Sequence, residues 1–169
     1  MLVYLLRHGI AAELGESGVR SDAERPLTKE GIKKLREAAH GYRKLLERPV
    51  RVLSSPLLRA RESAEIVCEV LDLPSQVEPC AVLVPEADPR DVISLLQSEL
   101  MAGPGRGPFL LVGHEPHLGR LLGLLLSGSE HATVPFRKGM LVGVDLDEPQ
   151  SMIGQLVLAL RQRDGRRLA

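Results

Sequence analysis

Two histidines and two arginines stand where side chains from distant parts of the chain could do chemistry together. Arg7 and His8 follow the apolar run 1–6, Arg59 follows the run 50–54 within the same short block, and His114 follows the run 109–112. A guanidinium group binds two oxygens of a phosphoryl group at once, and a neutral imidazole carries a lone pair that can attack phosphorus. These residue types suit phosphoryl transfer if the fold brings them together.

The chemistry of His8 depends on its protonation state and its tautomer. Positive charge on neighbouring arginines disfavours the imidazolium form, so we expect His8 to be neutral near pH 7. The turn at Gly9 offers a backbone carbonyl that can accept a hydrogen bond from one ring nitrogen, which leaves the other nitrogen free as a nucleophile. Each motif alone also has an ordinary explanation, because arginines and histidines at strand ends are common surface features.

Segments that predict strands and helices alternate along the chain and must position these side chains. The strand-like segments are 1–6, 50–54 and 109–112, with a weaker strand at 77–84 that Pro79 interrupts. The helix signals are a Thr28 cap with an end near Pro49, Ser55-Pro56 as a cap and first-turn proline, Asp88-Pro89, and Pro116. The alternation predicts a single three-layer α/β domain over 1–169, a mostly parallel sheet with helices on both faces.

Ligands of open α/β sheets bind beyond the carboxyl ends of the strands. The three strong strands all run into cationic or imidazole residues there, and these motifs are spaced roughly fifty residues apart along the sequence. If the strands are parallel, Arg7, His8, Arg59 and His114 meet at one edge of the sheet. The sequence therefore predicts an anion pocket that is assembled from separate parts of the chain.

Other segments receive structural interpretations. The helical stripe expected to face the sheet is Ile32, Leu35, Ala39, Tyr42 and Leu46. Residues 139–146 and 153–160 alternate in polarity around an acidic, proline-containing turn, which predicts a hairpin at one side of the sheet, and 103–107 is expected to be a surface loop. The basic tail is expected to be a solvated terminus, with a nucleic-acid contact as the alternative; it contains Arg161, Arg163, Arg166 and Arg167.

The composition limits the classes of function. Lys plus Arg and Asp plus Glu are each 22, so the formal net charge is zero and gives no general attraction to nucleic acid or anionic membranes. No apolar stretch reaches the roughly 18 residues of a membrane span. Cys68 and Cys80 are the only cysteines, too few for a disulfide scaffold. We expect a cytoplasmic protein with reduced thiols and without nucleic-acid or membrane partners.

Three blocks of residues together resemble the histidine phosphatase superfamily, and more narrowly its SixA-type phosphohistidine phosphatases. They are Leu5-Leu6-Arg7-His8-Gly9, the segment Ser54-Ser55-Pro56-Leu57-Leu58-Arg59-Ala60, and Val112-Gly113-His114. The resemblance extends to Arg25-Pro26-Leu27-Thr28 and to Leu83-Val84-Pro85-Glu86, and so covers nearly the whole chain. It implies a phosphoglycerate mutase-like fold.

The resemblance also implies roles for the pocket residues. His8 would take the phosphoryl group and form a phosphohistidine intermediate that water hydrolyses, while Arg7, Arg59 and His114 would hold the phosphoryl oxygens. Arg25 matches an arginine that lies near the phosphate pocket of relatives, with a salt bridge that fixes its loop as the alternative. No metal or other cofactor is expected, because guanidinium groups supply the positive charge.

The remaining polar residues receive weaker assignments. Glu86 lies in the segment where relatives that cleave alkyl phosphates carry a general acid, and a solvated carboxylate is the alternative. Glu115 is expected to be a helix-start charge that complements the helix dipole. The histidines expected to be ordinary surface residues are His40, His117 and His131.

Three functions remain open at this point. The leading one is hydrolysis of phosphohistidine on another protein, because the short connections leave little room for a lid over a small metabolite. The second is hydrolysis of a small phosphate ester, such as a sugar or nucleotide phosphate. The third is a phosphate-binding module without turnover, which the four intact pocket residues argue against.

Overall fold

The computed structural model describes residues 1–49, 51–73, 77–103, 107–131, 134–146 and 151–169, without the side chain of Ser17. The strands are β1 (Leu2–Arg7), β2 (Arg51–Ser54), β3 (Val77–Pro79), β4 (Phe109–Gly113), β5 (Leu141–Asp145) and β6 (Gln155–Leu160). The helices are α1 (Lys29–Arg43), α2 (Leu58–Leu71), α3 (Pro89–Met101), α4 (His117–Ser127) and α5 (Gln162–Leu168). Short 3-10 turns lie at Glu16–Gly18, Asp22–Glu24 and Ala81–Leu83.

The strands form one six-stranded sheet in the order β3-β2-β4-β1-β5-β6. The strands β3, β2, β4 and β1 are parallel, whereas β5 is antiparallel to β1 and β6 is antiparallel to β5. The predicted α/β fold and the hairpin at one side of the sheet are therefore confirmed. The acidic turn of that hairpin at 147–150, residue 50 of the second strand and residues 104–106 of the glycine-rich segment lie outside the described residues.

Apolar side chains on the two faces of the sheet form separate core clusters. On one face Val3 and Leu5 pack in a cluster with α3 and α4, and on the other Tyr4 and Leu6 pack in a cluster with α1 and α2. Successive side chains of a strand point to opposite faces, so a continuous apolar run such as β1 is buried on both sides. This arrangement gives the three layers that the sequence predicted.

The first helix differs in part from the prediction. Thr28 caps it as expected, because Thr28 Oγ1 accepts a hydrogen bond from Gly31 N at 2.9 Å, but α1 ends at Arg43 rather than near Pro49. Ile32 is exposed and does not belong to the buried stripe. The buried positions Leu35, Ala38, Ala39 and Tyr42 already follow the spacing of one helical face.

The weak third strand is shorter than predicted, and the C-terminal tail forms a helix. The strand predicted over 77–84 ends at Pro79, which has no N–H for a sheet hydrogen bond, and the chain continues into a 3-10 turn. The basic tail forms α5, which packs against α1, and its arginines are exposed, as expected of a solvated terminus. Glycines make this approach possible, since a Cβ at Gly41 would lie 1.9 Å from Gly165 O.

No helix in the described ranges is long and apolar enough to cross a membrane. Cys68 and Cys80 are buried free thiols, and burial raises the pKa of Cys68 to about 11. Burial also raises the pKa of Cys80, so neither thiol is ionised at neutral pH to an extent that would make it reactive.

Candidate active site

The strand register brings the predicted motifs to one edge of the sheet. Arg7 pairs with Gly113 and Ser54 pairs with Val112, so β1, β4 and β2 end at the same level. The next residues continue the pairing, since His8 N donates to Gly113 O at 3.1 Å and Ser55 N donates to Val112 O at 2.9 Å. Because β4 lies between β1 and β2, the residue after β4, His114, is placed between His8 and Ser55.

The two histidine rings lie beside each other in a buried position. Their centroids are 5.0 Å apart, and His8 and His114 are 6% and 1% exposed. His8 Nδ1 lies 2.7 Å from Gly9 O, so it carries the proton that this carbonyl accepts, as the sequence predicted. The other nitrogen of His8, Nε2, makes no hydrogen bond within the described residues and is not sealed from solvent.

Both rings are neutral at physiological pH. Burial is the largest cause that lowers the pKa of His8 to about 3. The charges of Arg59, Arg7 and Lys138 also lower it. Burial is also the largest cause that lowers the pKa of His114 to about 3. The predicted neutral form is supported, but its main cause is desolvation of the ring rather than the nearby arginines.

One N–H group of the Arg7 guanidinium has no hydrogen-bond partner among the described residues. Its Nη1 donates to Phe136 O at 2.7 Å, whereas its Nε is buried without a hydrogen bond. Phe136 N donates to Glu115 Oε1 at 2.5 Å, so Glu115 and Arg7 hold the same peptide segment from two sides. Glu115, predicted to complement a helix dipole, thus makes its hydrogen bond to a loop backbone.

Arg59 is held by a carboxylate from the 3-10 turn that precedes α1. It is 4% exposed, and its guanidinium donates to Asp22 O at 2.6 Å and to Asp22 Oδ2 at 2.8 Å. Asp22 Oδ1 accepts a further bond from Arg25 Nη1 at 2.9 Å. Two of the five guanidinium N–H groups of Arg59 are occupied in this way, which leaves donors for an anion.

Arg25 fixes its own loop. Besides Asp22, it donates from Nε to Ala12 O at 2.6 Å and forms an ion pair with Glu13 at 3.1 Å. These contacts favour the salt-bridge alternative that the sequence left open. A direct contact between Arg25 and a substrate stays a prediction.

Two serines connect the motifs and were not predicted to do so. Ser55, expected to cap a helix, lies with its Oγ 2.8 Å from His114 Nε2, while α2 begins only at Leu58. Ser63 Oγ accepts from Gly9 N at 3.0 Å and donates to Arg59 O at 2.6 Å. A buried serine one turn after Arg59, on the apolar face of a helix, is the sequence signal that could have identified the second contact.

The other polar candidates are distributed differently. Glu86 is exposed and makes no hydrogen bond or ion pair with any described residue, so its role as a general acid stays a prediction. His117 is fully buried with neither ring nitrogen bonded, and the prediction of a surface position is wrong because the first turn of α4 packs into the core. His40 and His131 are exposed, as predicted. Among the described residues, no group of three or more His, Cys, Asp or Glu could hold a metal ion.

The arrangement can bind a compact anion next to a nucleophile. Arg7 and Arg59 provide cationic donors, and His8 Nε2 provides a lone pair on a neutral ring. Both α2 and α4 begin at this edge of the sheet, where the positive ends of their dipoles favour negative charge. A phosphoryl group matches this combination because its charge is spread over several oxygens.

Comparison with known proteins places this site in a family. Residues 3–81 match the model of the histidine phosphatase superfamily (branch 1). The phosphohistidine phosphatase SixA of Escherichia coli is 35% identical over 151 residues, which cover 88% of this chain and 87% of that protein. A solved structure of the protein histidine phosphatase SixA complexed with tungstate has a TM-score of 0.83 at 30% identity and covers 96% of this chain and 98% of that one.

More distant structures share the fold alone. A mycobacterial glucosyl-3-phosphoglycerate phosphatase has a TM-score of 0.70 at 18% identity, covering 93% of this chain and 97% of that one. The α-ribazole phosphatase of Shigella flexneri has a TM-score of 0.68 at 19% identity, covering 96% and 97%. The fold is thus the phosphoglycerate mutase-like one that the sequence predicted. With the identity to SixA over most of both chains, the protein belongs to the histidine phosphatase superfamily.

Proposed function

We propose that this protein hydrolyses phosphohistidine through a phosphoryl group carried on His8, and that its substrate is a phosphorylated histidine of another protein. The observation that carries the proposal is the neutral ring of His8, whose Nδ1 donates to Gly9 O while Nε2 stays unbonded and the charges of Arg7 and Arg59 act on the ring. Similarity to a protein named phosphohistidine phosphatase supports the substrate class.

The first step is transfer of the phosphoryl group to the enzyme. The lone pair of His8 Nε2 forms a bond to phosphorus, the bond between phosphorus and the substrate imidazole breaks, and its electron pair stays on the leaving nitrogen. An imidazole nitrogen is readily protonated, so this leaving group needs little help from a general acid. Arg7, Arg59 and His114 would hold the phosphoryl oxygens during the transfer.

The second step returns the enzyme to its starting state. A water molecule attacks phosphorus, the bond to His8 Nε2 breaks, and the electron pair of that bond returns to the ring nitrogen. The water contributes its oxygen to inorganic phosphate, and its released proton passes to phosphate or solvent. The guanidinium groups of Arg7 and Arg59 would supply the charge stabilisation, so the proposed mechanism requires no metal ion.

The environment of Glu86 bears on the choice between phosphohistidine and small phosphate esters as substrates. An alkyl oxygen is a poor leaving group and needs a proton donor that is held in place. Glu86 is exposed and no described residue holds its carboxylate, which favours a substrate whose leaving group is an imidazole. A small phosphate ester, as in the more distant relatives, is the second candidate.

Trapping of the phosphorylated enzyme tests the mechanism. Brief mixing with phosphohistidine that carries labelled phosphorus should label the wild-type protein at His8, and His8→Asn should remove both label and turnover. The exposed His40 provides the matched control, since His40→Asn should retain both. Full activity of His8→Asn would contradict the covalent step.

Initial rates on a substrate panel test the substrate class. We expect free phosphohistidine to be hydrolysed with a higher kcat/KM than glucose 6-phosphate or a nucleoside monophosphate, because no described residue orients Glu86 for proton donation. A kcat/KM about a thousandfold higher for an ester than for phosphohistidine would assign the protein to the second candidate. Such a ratio is larger than small differences in substrate size produce.

A further inference from the structure

A basic groove opens between the start of β5 and the start of α5. It has a volume of about 330 Å³ and is lined by Arg137, Lys138, Arg161, Gln162 and Arg163. The strand register explains why these segments meet, since β5 and β6 are antiparallel and Leu141 pairs with Leu160. Residues just before β5 therefore lie next to residues just after β6, although more than twenty positions separate them in the sequence.

Most cations of the basic groove lack a carboxylate partner among the described residues. Arginines paired with Asp or Glu elsewhere are Arg25, Arg36, Arg51, Arg59, Arg61, Arg90, Arg120 and Arg166. In the groove Arg163 lies 3.4 Å from Asp164, whereas the side chains of Arg137, Lys138 and Arg161 have no ion pair within the described ranges. Like charges that lie together repel each other, and acidic groups of a partner would relieve this repulsion.

The basic groove is linked to His8 through the backbone of Gly139. Gly139, which follows two of the groove cations, donates from its N–H to Arg7 O and to His8 O, both at 3.0 Å. Its φ of 69° lies in the left-handed region, and a Cβ there would lie 2.4 Å from Gln162 Nε2, so the groove wall packs directly on this glycine. Gly139 thus contacts both the groove residue Gln162 and the backbone of His8.

Electrostatic effects in the pocket agree with this contact. The charge of Lys138 is one of the causes that lower the pKa of His8, and the charge of Arg137 is one of those that lower the pKa of Arg7. Arg137 also lines a second depression of about 480 Å³, whose wall includes Arg7 itself. Cations of the basic groove therefore act within the electrostatic range of the reacting group.

We infer that the basic groove docks acidic side chains of the phosphorylated protein that surround its phosphohistidine. This inference rests on the proposed function, because a phosphoryl group in the pocket brings the surface of its carrier protein to the groove. Arg137, Arg161 and Arg163 are exposed and Lys138 is half-buried, which suits attraction and orientation of a macromolecular surface. A closed site for a small anion would instead surround its ligand with buried donors.

Two phosphopeptides test the inference. In one, a single phosphohistidine is flanked on both sides by glutamates, and in the other by glutamines. We expect the wild-type protein to have a kcat/KM about 10-fold higher for the acidic peptide at low ionic strength, with the ratio falling towards one as salt is added. In Arg161→Glu combined with Arg163→Glu, the ratio should fall to one or below.

A matched variant separates local from general charge effects. Lys33→Glu combined with Arg167→Glu makes the same change in net charge at exposed positions outside the basic groove, and it should keep the wild-type ratio. If both double variants change the ratio equally, the groove is not the docking surface. If the groove variant does not fold, the wild-type ratio still tests the inference, because a ratio near one at all salt concentrations would refute it.

Two further measurements identify which idea has failed. If the wild-type protein hydrolyses neither free phosphohistidine nor either peptide, the proposed function is wrong and the docking inference falls with it. If it hydrolyses all of them with equal kcat/KM, the proposed function stands and the docking inference is wrong. Stronger inhibition by single-stranded DNA than by a glutamate peptide without phosphohistidine would assign the groove to nucleic acid and overturn the inference.

Discussion

Burial controls the protonation of His8 and His114 more than the neighbouring arginines do. Both pKa values are lowered to about 3, with desolvation as the largest cause, from the usual value of 6.5. In the unfolded chain both rings bind protons below pH 6.5, whereas in the folded protein they stay neutral until the pH approaches 3. The folded state therefore loses stability as the pH falls from about 6.5 towards 3. Each of the two histidines lowers the free energy of unfolding by about 1.4 kcal/mol for each pH unit.

The pH dependence of stability gives a direct test. Between pH 6.5 and 5, each of these two histidines should reduce the free energy of unfolding by about 2 kcal/mol. In His8→Asn the decrease should be smaller than in the wild-type protein by about that amount, because asparagine does not titrate. Urea unfolding at both pH values measures the difference, and equal decreases in the two proteins would mean that His8 is not held in its neutral form.

Substitutions of Arg59 and Arg25 separate a direct from an indirect effect on kcat/KM. Arg59→Ala should reduce kcat/KM for phosphohistidine by about 100-fold, since it removes a preorganised cationic donor. Arg25→Ala should cost about 10-fold or less, because its guanidinium acts through Asp22 and the loop backbone. Steady-state kinetics of both variants check this, and a loss below about threefold in Arg59→Ala would place that residue outside the pocket.

At the scale of elements, Gly31 sets the distance between α1 and the segment that follows β1. A Cβ at this position would lie 2.1 Å from Ile10 O. The same carbonyl accepts a hydrogen bond from Thr28 N at 2.9 Å, so the start of α1 is fixed to the residue that follows Gly9. The close contact at Gly31 thus helps to position the loop whose Gly9 O orients His8.

Gly31→Ala should therefore destabilise the protein. Alanine is normally better than glycine inside a helix by up to about 1 kcal/mol, but a methyl group pressed against a backbone atom should cost about 2 kcal/mol or more. The exposed Lys33 on the same helix is the control, and Lys33→Ala should change the free energy of unfolding by less than about 0.5 kcal/mol. Urea unfolding of both variants decides the sign, and a Gly31→Ala protein as stable as the wild type would contradict the close packing.

At the scale of the whole molecule, the anion site is a local property of a chain without net charge. Lys plus Arg equals Asp plus Glu at 22 each. Many surface charges are neutralised by ion pairs between elements, such as Arg36 with Glu69 and Arg166 with Glu37. The basic groove is a further local cluster of cations, most of them without carboxylate partners among the described residues, and a global charge count does not reveal it.

Anion binding should stabilise the folded protein as a whole. At phosphate or tungstate concentrations about 100 times the Kd, the gain is about 2.7 kcal/mol, which for a chain of this length raises the Tm by about 5–10 °C. His8→Asn should keep most of this shift, because the arginines and His114 remain, whereas Arg59→Ala should lose most of it. Thermal unfolding with increasing anion concentration measures the effect, and an equal shift in Arg59→Ala would show that the anion binds elsewhere.

The sequence by itself determined the fold class and the residues at the pocket edge. Continuous apolar runs that end in Arg7-His8, in the Ser54 to Ala60 segment and in Gly113-His114 predict parallel strands, and parallel strands present their carboxyl ends at one edge. The tautomer of His8 also followed from the sequence, because Gly9 O is the adjacent acceptor. These features depend on local periodicity and on neighbours along the chain.

Only the tertiary structure decided which groups are desolvated and which charges are paired. Burial of His117, the hold of Asp22 on Arg59, the link through Ser63 and the packing of α5 on α1 all depend on residues that are distant in sequence. The basic groove arises in the same way, where the end of one hairpin strand meets the start of the other. Solvation and ion pairing are properties of the assembled surface, and a pattern along one segment cannot specify them.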